Sequence, residues 1–263
     1  MVLKISQRGR IPPFIVMDVL RDANERAAQG KDVLHLEVGQ PSTGAPQGVI
    51  EAARAALARE VLGYTDTLGL PALRAAIAAD YARRHGVAID PARIVVTTGS
   101  SAAFVYAFLA AFEQGDRVAV AAPAYPAYRN ILTALDLVPV ELPAGEAERY
   151  QVTIDLLRAH GQGVDGLIVA SPANPTGTMI EASELAAITR YCRDRGIRLI
   201  SDEIYQGIVY GDAAATALSS DPQAVVVNSF SKYYSMTGWR VGWMVAPDDM
   251  LRAVECLAQN LSV

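Results

Sequence analysis

A chain of 263 residues, 51% hydrophobic and 19% charged, has enough apolar side chain to bury a sizeable core, which excludes a disordered segment and allows one large domain with a small appendage. A net charge of −5, with no Lys/Arg run longer than a pair, argues against a nucleic-acid footprint or an anionic-membrane surface. No basic-then-apolar leader and no bilayer-length apolar stretch are present, so the expectation is a soluble, cytoplasmic protein.

Three proline-led stretches, 12–29, 46–59 and 71–85, carry helical periodicity, and Gly63-Tyr64-Thr65-Asp66 forms the loop between the last two. From Ile94 onward, short apolar runs alternate with helical patterns. The runs fall at 94–97, 118–121, 138–142, 167–170, 198–201, 225–228 and 242–245. Among the intervening helices are 101–113, 126–135 and 181–195, the last ending before Gly196, a fitting C-cap position. Seven runs separated by helices predict an α/β fold with one mostly parallel sheet and crossover helices. Cys192 and Cys256 sit in helix-like contexts without metal-ligand spacing and are expected to be reduced packing residues. His35, His85 and His160 are scattered, so neither a histidine-based site nor a metal site is expected.

The stretch from Ser229 to Gly242 holds most of the chemistry. It places the amine of Lys232 among small hydroxyls, with Ser229 and Ser231 close by, and follows it with the guanidinium of Arg240. That combination suits an aldehyde cofactor carrying a phosphate, because an amine forms a Schiff base with an aldehyde while hydroxyls and a guanidinium bind the dianion. Taken alone, Lys232 reads as a solvated surface lysine. Its companions alter that reading, since each follows an apolar run, where open α/β sheets gather their ligands. They are Thr97-Thr98-Gly99-Ser100-Ser101 at the start of an alanine-rich helix, Ser171-Pro172-Ala173-Asn174-Pro175-Thr176-Gly177, and Ser201-Asp202-Glu203-Ile204-Tyr205. Gly99-Ser100-Ser101 lacks both the Gly-x-Gly-x-x-Gly and the Gly-Lys-Ser/Thr signatures, which argues against a nucleotide-binding protein.

With Asn-Pro-x-Gly, Asp-x-x-Tyr and Ser-x-x-Lys-x(7)-Arg in that order, the chain resembles the fold-type I pyridoxal-phosphate enzymes, and within them the class I/II aminotransferases. The resemblance runs from Pro12-Pro13-Phe14 to the C-terminus. It implies a seven-stranded large domain over 46–263, with 1–45 contributing to a small domain that is incomplete at the C-terminal end. The family arginine that pairs with the substrate α-carboxylate would lie past residue 263. It also implies pyridoxal 5′-phosphate as cofactor, held as a Schiff base on Lys232, which then shuttles a proton in a ping-pong transamination. By the same resemblance Asp202 holds the proton on the pyridine nitrogen, and Asn174 and Tyr205 donate to the cofactor's phenolic oxygen. Gly99, Ser100, Ser101, Ser229, Ser231 and Arg240 form the phosphate cup. Tyr125 stacks on the ring, and Gly39 and Asn174 lie by the substrate. Tyr64 matches the tyrosine that reaches the neighbouring subunit's phosphate, which implies a homodimer acting on amino acids and 2-oxo acids. Other reactions on the same scaffold are a carbon–sulfur lyase or a cyclopropane-forming synthase, and a non-catalytic cofactor-binding fragment is a further alternative.

Overall fold

The computed structural model describes residues 3–262. The chain begins with α1 (Ile15–Ala28), α2 (Gln47–Arg59) and α3 (Pro71–His85). Helix α1 starts later than its proline-led pattern predicts: Phe14, at φ −80° and ψ 88°, leaves the helical region and turns its ring edge-on to Tyr125, with centroids 5.6 Å apart. Helix α3 carries Pro71 in its first turn and stops at Gly86, whose φ of 67° supplies the left-handed cap. Neither α1 nor α2 buries a residue completely.

From here strands and helices alternate: β1 (Ile94–Thr97), α4 (Gly99–Ala111), β2 (Arg117–Ala122), α5 (Pro126–Ala134), β3 (Val138–Pro143), α6 (Ile154–His160), β4 (Gly166–Ala170), α7 (Ala182–Asp194), β5 (Arg198–Asp202), β6 (Val225–Ser229), β7 (Gly242–Val245) and α8 (Asp248–Leu261). All seven strands fall where the apolar runs predict them. The alternation also hides one short helix, α6. It spans only two turns and is set by Thr153, whose hydroxyl accepts from the Leu156 N–H at 3.2 Å.

The strands form one sheet in the order β1-β7-β6-β5-β4-β2-β3. Strand β7 pairs antiparallel with both β1 and β6, while the remaining pairs are parallel. The strands of the sheet interior are apolar along their middles, as burial on both faces requires, and turn polar toward their carboxyl ends, at Ser201 and Asp202 in β5 and Asn228 and Ser229 in β6. Successive residues turn to opposite faces: Leu167, Val169, Leu199 and Val226 join a core with α3, α6 and α7, whereas Ile168, Ile200, Val225 and Val227 join a second with α4, α5 and α8. Helix α4 is apolar on every side and carries six buried residues, which suits its place in the second core. Cys192 belongs to the first core, where burial pushes its thiol up to about 12, so it packs as a hydrophobe.

The register brings the chemically interesting strand ends level. Gly242 pairs with both Thr97 and Ser229, and Asp202 pairs with both Ala170 and Val227. Gly242 permits this arrangement: a Cβ there would lie 2.7 Å from the Gly99 carbonyl carbon and 2.8 Å from the Ser100 nitrogen, so β7 could not approach the start of α4.

Past the end of β5 the Glu203 side chain points into the first core and is completely buried. Its Oε1 accepts from the Ser201 hydroxyl at 3.1 Å, the Thr216 hydroxyl at 3.0 Å and the Ala217 N–H at 2.9 Å. Burial still outweighs these bonds and pushes the carboxyl up to about 7, from an ordinary 4.5. The folded protein therefore binds this proton more tightly than the unfolded chain does. Its contribution to stability is full below about pH 4.5, declines as pH rises and is lost above about pH 7. Glu203→Gln, which cannot ionise, should gain stability relative to the parent by on the order of 3 kcal/mol across that window, read from urea melts at pH 4.5 and 8. A difference between the two proteins that is independent of pH would contradict the assignment.

Candidate active site

The carboxyl ends of β1, β4, β5 and β6 open on a common cleft. Asp202, the last residue of β5, lies at its floor, 5% exposed. Its Oδ1 accepts from the Ile204 N–H at 3.0 Å, and its Oδ2 accepts a short hydrogen bond from the Tyr128 hydroxyl. Burial raises its carboxyl to about 6, and these two bonds pull the other way. Among the described residues no cation pairs with Asp202. A positively charged group in the cleft would meet a carboxylate already stripped of water.

Tyr128 is absent from the residues marked by the sequence motifs. It is 2% exposed, and burial followed by the Asp202 charge keeps its hydroxyl protonated, hence a donor. The signal available in the sequence was its spacing, one helical turn after Tyr125 at the start of α5. The two rings meet edge to face, with centroids 5.4 Å apart.

Lys232 lies in the turn after β6. Its Nζ donates to the Gly39 carbonyl at 2.8 Å and stands 5.8 Å from the centroid of the Tyr205 ring. Burial, and secondarily the charge of Arg240, lowers its pKa, which favours the neutral amine. Across the cleft the Asn174 Nδ2 donates to the Tyr205 hydroxyl at 3.5 Å. Burial and Asp202 raise the Tyr205 pKa, so this hydroxyl also stays a donor.

The opposite wall is the N-terminus of α4. Thr98 makes no side-chain cap, which leaves the first-turn N–H groups of Gly99, Ser100 and Ser101 without a side-chain acceptor. Arg240, itself left-handed at φ 54°, holds its guanidinium over this end, with Nη1 donating to the Thr237 carbonyl at 3.0 Å. The contact is so close that a Cβ on Gly99 would sit 2.3 Å from Nη2, and Gly99 in addition adopts a φ of +72°. A helix N-terminus and a guanidinium facing one space form an anion site.

Seven of the residues expected from the sequence thus line a single cleft of about 90 Å³: Ser100, Ser101, Tyr125, Asn174, Asp202, Tyr205 and Lys232. Phe104, Ala127, Tyr128, Ile131 and Ile204 complete its lining. Gly39, Gly99 and Arg240 adjoin it through the contacts above. Ser229 and Ser231 are buried beside it, and the Ser229 hydroxyl accepts from the Ser231 N–H at 3.0 Å. Tyr64 stands apart, 93% exposed on the loop between α2 and α3. The donor set suits pyridoxal 5′-phosphate on chemical grounds: a nucleophilic amine, an unpaired buried carboxyl, two neutral donors and an anion site converge on one space.

Among the described residues no helix is long and apolar enough to cross a membrane. The family model for aminotransferase class I and II matches residues 31–263. The chain is 52% identical to a valine–pyruvate aminotransferase of Mycobacterium tuberculosis, over 99% of this chain and 68% of that protein. It is 32% identical to an aspartate aminotransferase of Geobacillus stearothermophilus, over 98% of this chain and 67% of that protein. A crystal structure of an aminotransferase from Mycobacterium tuberculosis superposes with a TM-score of 0.96 at 52% identity, covering 99% of this chain and 68% of that one. The motifs, the seven-stranded sheet and these relatives agree, and the chain belongs to the class I and II aminotransferases, the pyridoxal-phosphate-dependent enzymes that pass an amino group between an amino acid and a 2-oxo acid.

Proposed function

We propose that the cleft at the end of β5 is the cofactor and reaction site of this aminotransferase, with Lys232 as its catalytic base and point of attachment. The observation that carries the reading is the convergence of a depressed-pKa amine, a buried carboxyl without a cation and an Arg240-covered helix N-terminus on one space. Pyridoxal phosphate, when bound, supplies an aldehyde that condenses with amines and a ring that withdraws electrons from the bond being broken.

The chain's own residues divide the remaining tasks. Arg240, the α4 N–H groups with Ser100 and Ser101, and Ser229 with Ser231 beneath them hold the phosphate dianion. Asp202 holds a proton on the ring nitrogen, and the Tyr128 hydroxyl keeps that carboxyl oriented and favours its ionised form. Asn174 and Tyr205 donate to the phenolic oxygen, Tyr125 packs against the ring, and Asn174 with the Gly39 backbone faces the substrate. With the cofactor bound, Lys232 Nζ would take the proton from the substrate Cα and return it two bonds away, at the former aldehyde carbon, and the Gly39 carbonyl aims that nitrogen across the cleft. In this reading residues 1–45 belong to a small domain and 46–263 to the large one. The protein acts in the cytoplasm as a homodimer in which Tyr64 reaches the neighbouring site. The relatives' activities favour transamination over lyase or synthase chemistry on the same scaffold.

We further propose an aliphatic donor of the valine type with pyruvate as acceptor. The name of the 52%-identical relative supports this, as do Phe104, Ile131 and Ile204, which give the cleft an apolar lining away from Lys232 and the Arg240 anion site. With pyruvate as acceptor, kcat/KM for valine should exceed that for aspartate by about tenfold or more, and a preference for aspartate would refute the substrate assignment.

Asp202→Asn should leave the cofactor bound, because the anion site is intact, but an amide cannot hold the ring proton as a carboxylate does. Single-turnover rates with the preferred donor should fall by on the order of 10²–10³ while the visible absorbance of the bound cofactor persists. Rates near those of the parent would remove Asp202 from its role.

A further inference from the structure

We propose that Glu203 is a positioning residue for Tyr205, fixing the place of the Tyr205 hydroxyl by fastening both ends of the segment that carries it; the proposal rests on the reading of Tyr205 given above. Residues 204–215 leave the sheet after β5 and return at Thr216 and Ala217. Tyr205 therefore lies at the root of a loop whose tip is open, with Tyr210 98% exposed and Ile208 also exposed. The root is closed by one carboxylate oxygen. Glu203 Oε1 takes the Ser201 hydroxyl from β5 and, from the returning segment, the Thr216 hydroxyl and the Ala217 N–H.

Neighbouring bonds bracket Tyr205 between these anchors. The Glu203 N–H donates to the Val227 carbonyl at 2.9 Å and the Gln206 N–H to the Glu203 carbonyl at 3.0 Å, while the Gln206 side-chain amide reaches the Ala215 carbonyl at 3.0 Å. The charged and titratable neighbours of Glu203 are Asp202, the residue before it at the end of β5, and Tyr81 from α3. No cation is paired with Glu203 among the described residues, and its Oε2 has no hydrogen-bond partner. A buried carboxyl without a counter-charge is a costly way to fill the core. What it gives is an acceptor able to gather three donors from two segments of chain, which an apolar side chain of the same size cannot do.

The test compares Glu203→Ala, Glu203→Gln, Thr216→Val and Tyr205→Phe in the full chain. One readout is the pH midpoint of the visible absorbance band of the cofactor-loaded protein. The other is limited proteolysis of the 207–213 tip without cofactor. Losing the Tyr205 donor should raise the midpoint by about one to two pH units, because an unsolvated phenolic anion holds the neighbouring proton more tightly. Glu203→Ala should raise it in the same direction, add nothing once Tyr205→Phe is present, and speed cleavage of the tip. Glu203→Gln, which keeps the accepting oxygen, should stay near the parent in both readouts, and Thr216→Val should show a smaller rise even if Glu203→Ala fails to fold. A Glu203→Ala or Thr216→Val protein that melts earlier yet keeps the parent midpoint, while Tyr205→Phe moves it, would overturn the proposal. No movement in Tyr205→Phe would overturn the placement of Tyr205 and the proposal together.

Discussion

Keeping an ionisable carboxylate dry at the end of a central strand is the constraint around which the rest is organised. Asp202 could satisfy its oxygens in water at no cost; in the interior it needs donors and, when charged, a counter-ion. The protein supplies two donors, the Ile204 N–H from the turn that follows and the Tyr128 hydroxyl from α5. It leaves the counter-ion out. The raised pKa of Asp202 is the signature of that omission, and a protonated pyridine nitrogen is the kind of group that corrects it. In the proposed reading, binding and electronic activation of the cofactor draw on the same desolvation.

The sheet supplies the geometry. Parallel β4, β5 and β6 end at a common level, so the Asn174 turn, Asp202 and the Lys232 turn are delivered to one edge without any long-range fitting of loops. Antiparallel β7 brings Gly242 beside both Thr97 and Ser229, and the missing side chain there lets the start of α4 close on the sheet. Arg240 lies two residues before Gly242. The strand reversal that aligns β7 therefore also sets the guanidinium over the α4 N–H groups.

The large features were legible because they rest on local chemistry. Apolar runs of four or five residues mark strands wherever they fall, and the order of the Asn174, Asp202, Lys232 and Arg240 motifs marks the cleft. What escaped depends on tertiary contact. Tyr128 looks in sequence like any core aromatic, and only the proximity of Asp202, 74 residues away, gives its hydroxyl a task. Glu203 stands inside a recognised motif, but the partners that give it meaning, Thr216 and Ala217, come from the far side of a loop. The start of α1 shifted for a similar reason, since the contact of Phe14 with Tyr125 was not encoded in the helix's own residues. Tyr64 lies on an exposed loop apart from the cleft, and the role proposed for it would require a second chain.

The most direct test of the account is to reduce the cofactor-loaded protein with borohydride and map the labelled peptide. The account predicts loss of the visible band and a single pyridoxyl group on Lys232, the amine whose pKa is lowered by burial and by Arg240. A label on Lys4 or Lys31 with Lys232 unmodified would contradict it, because it would separate the amine from the carboxylate on which the site is built.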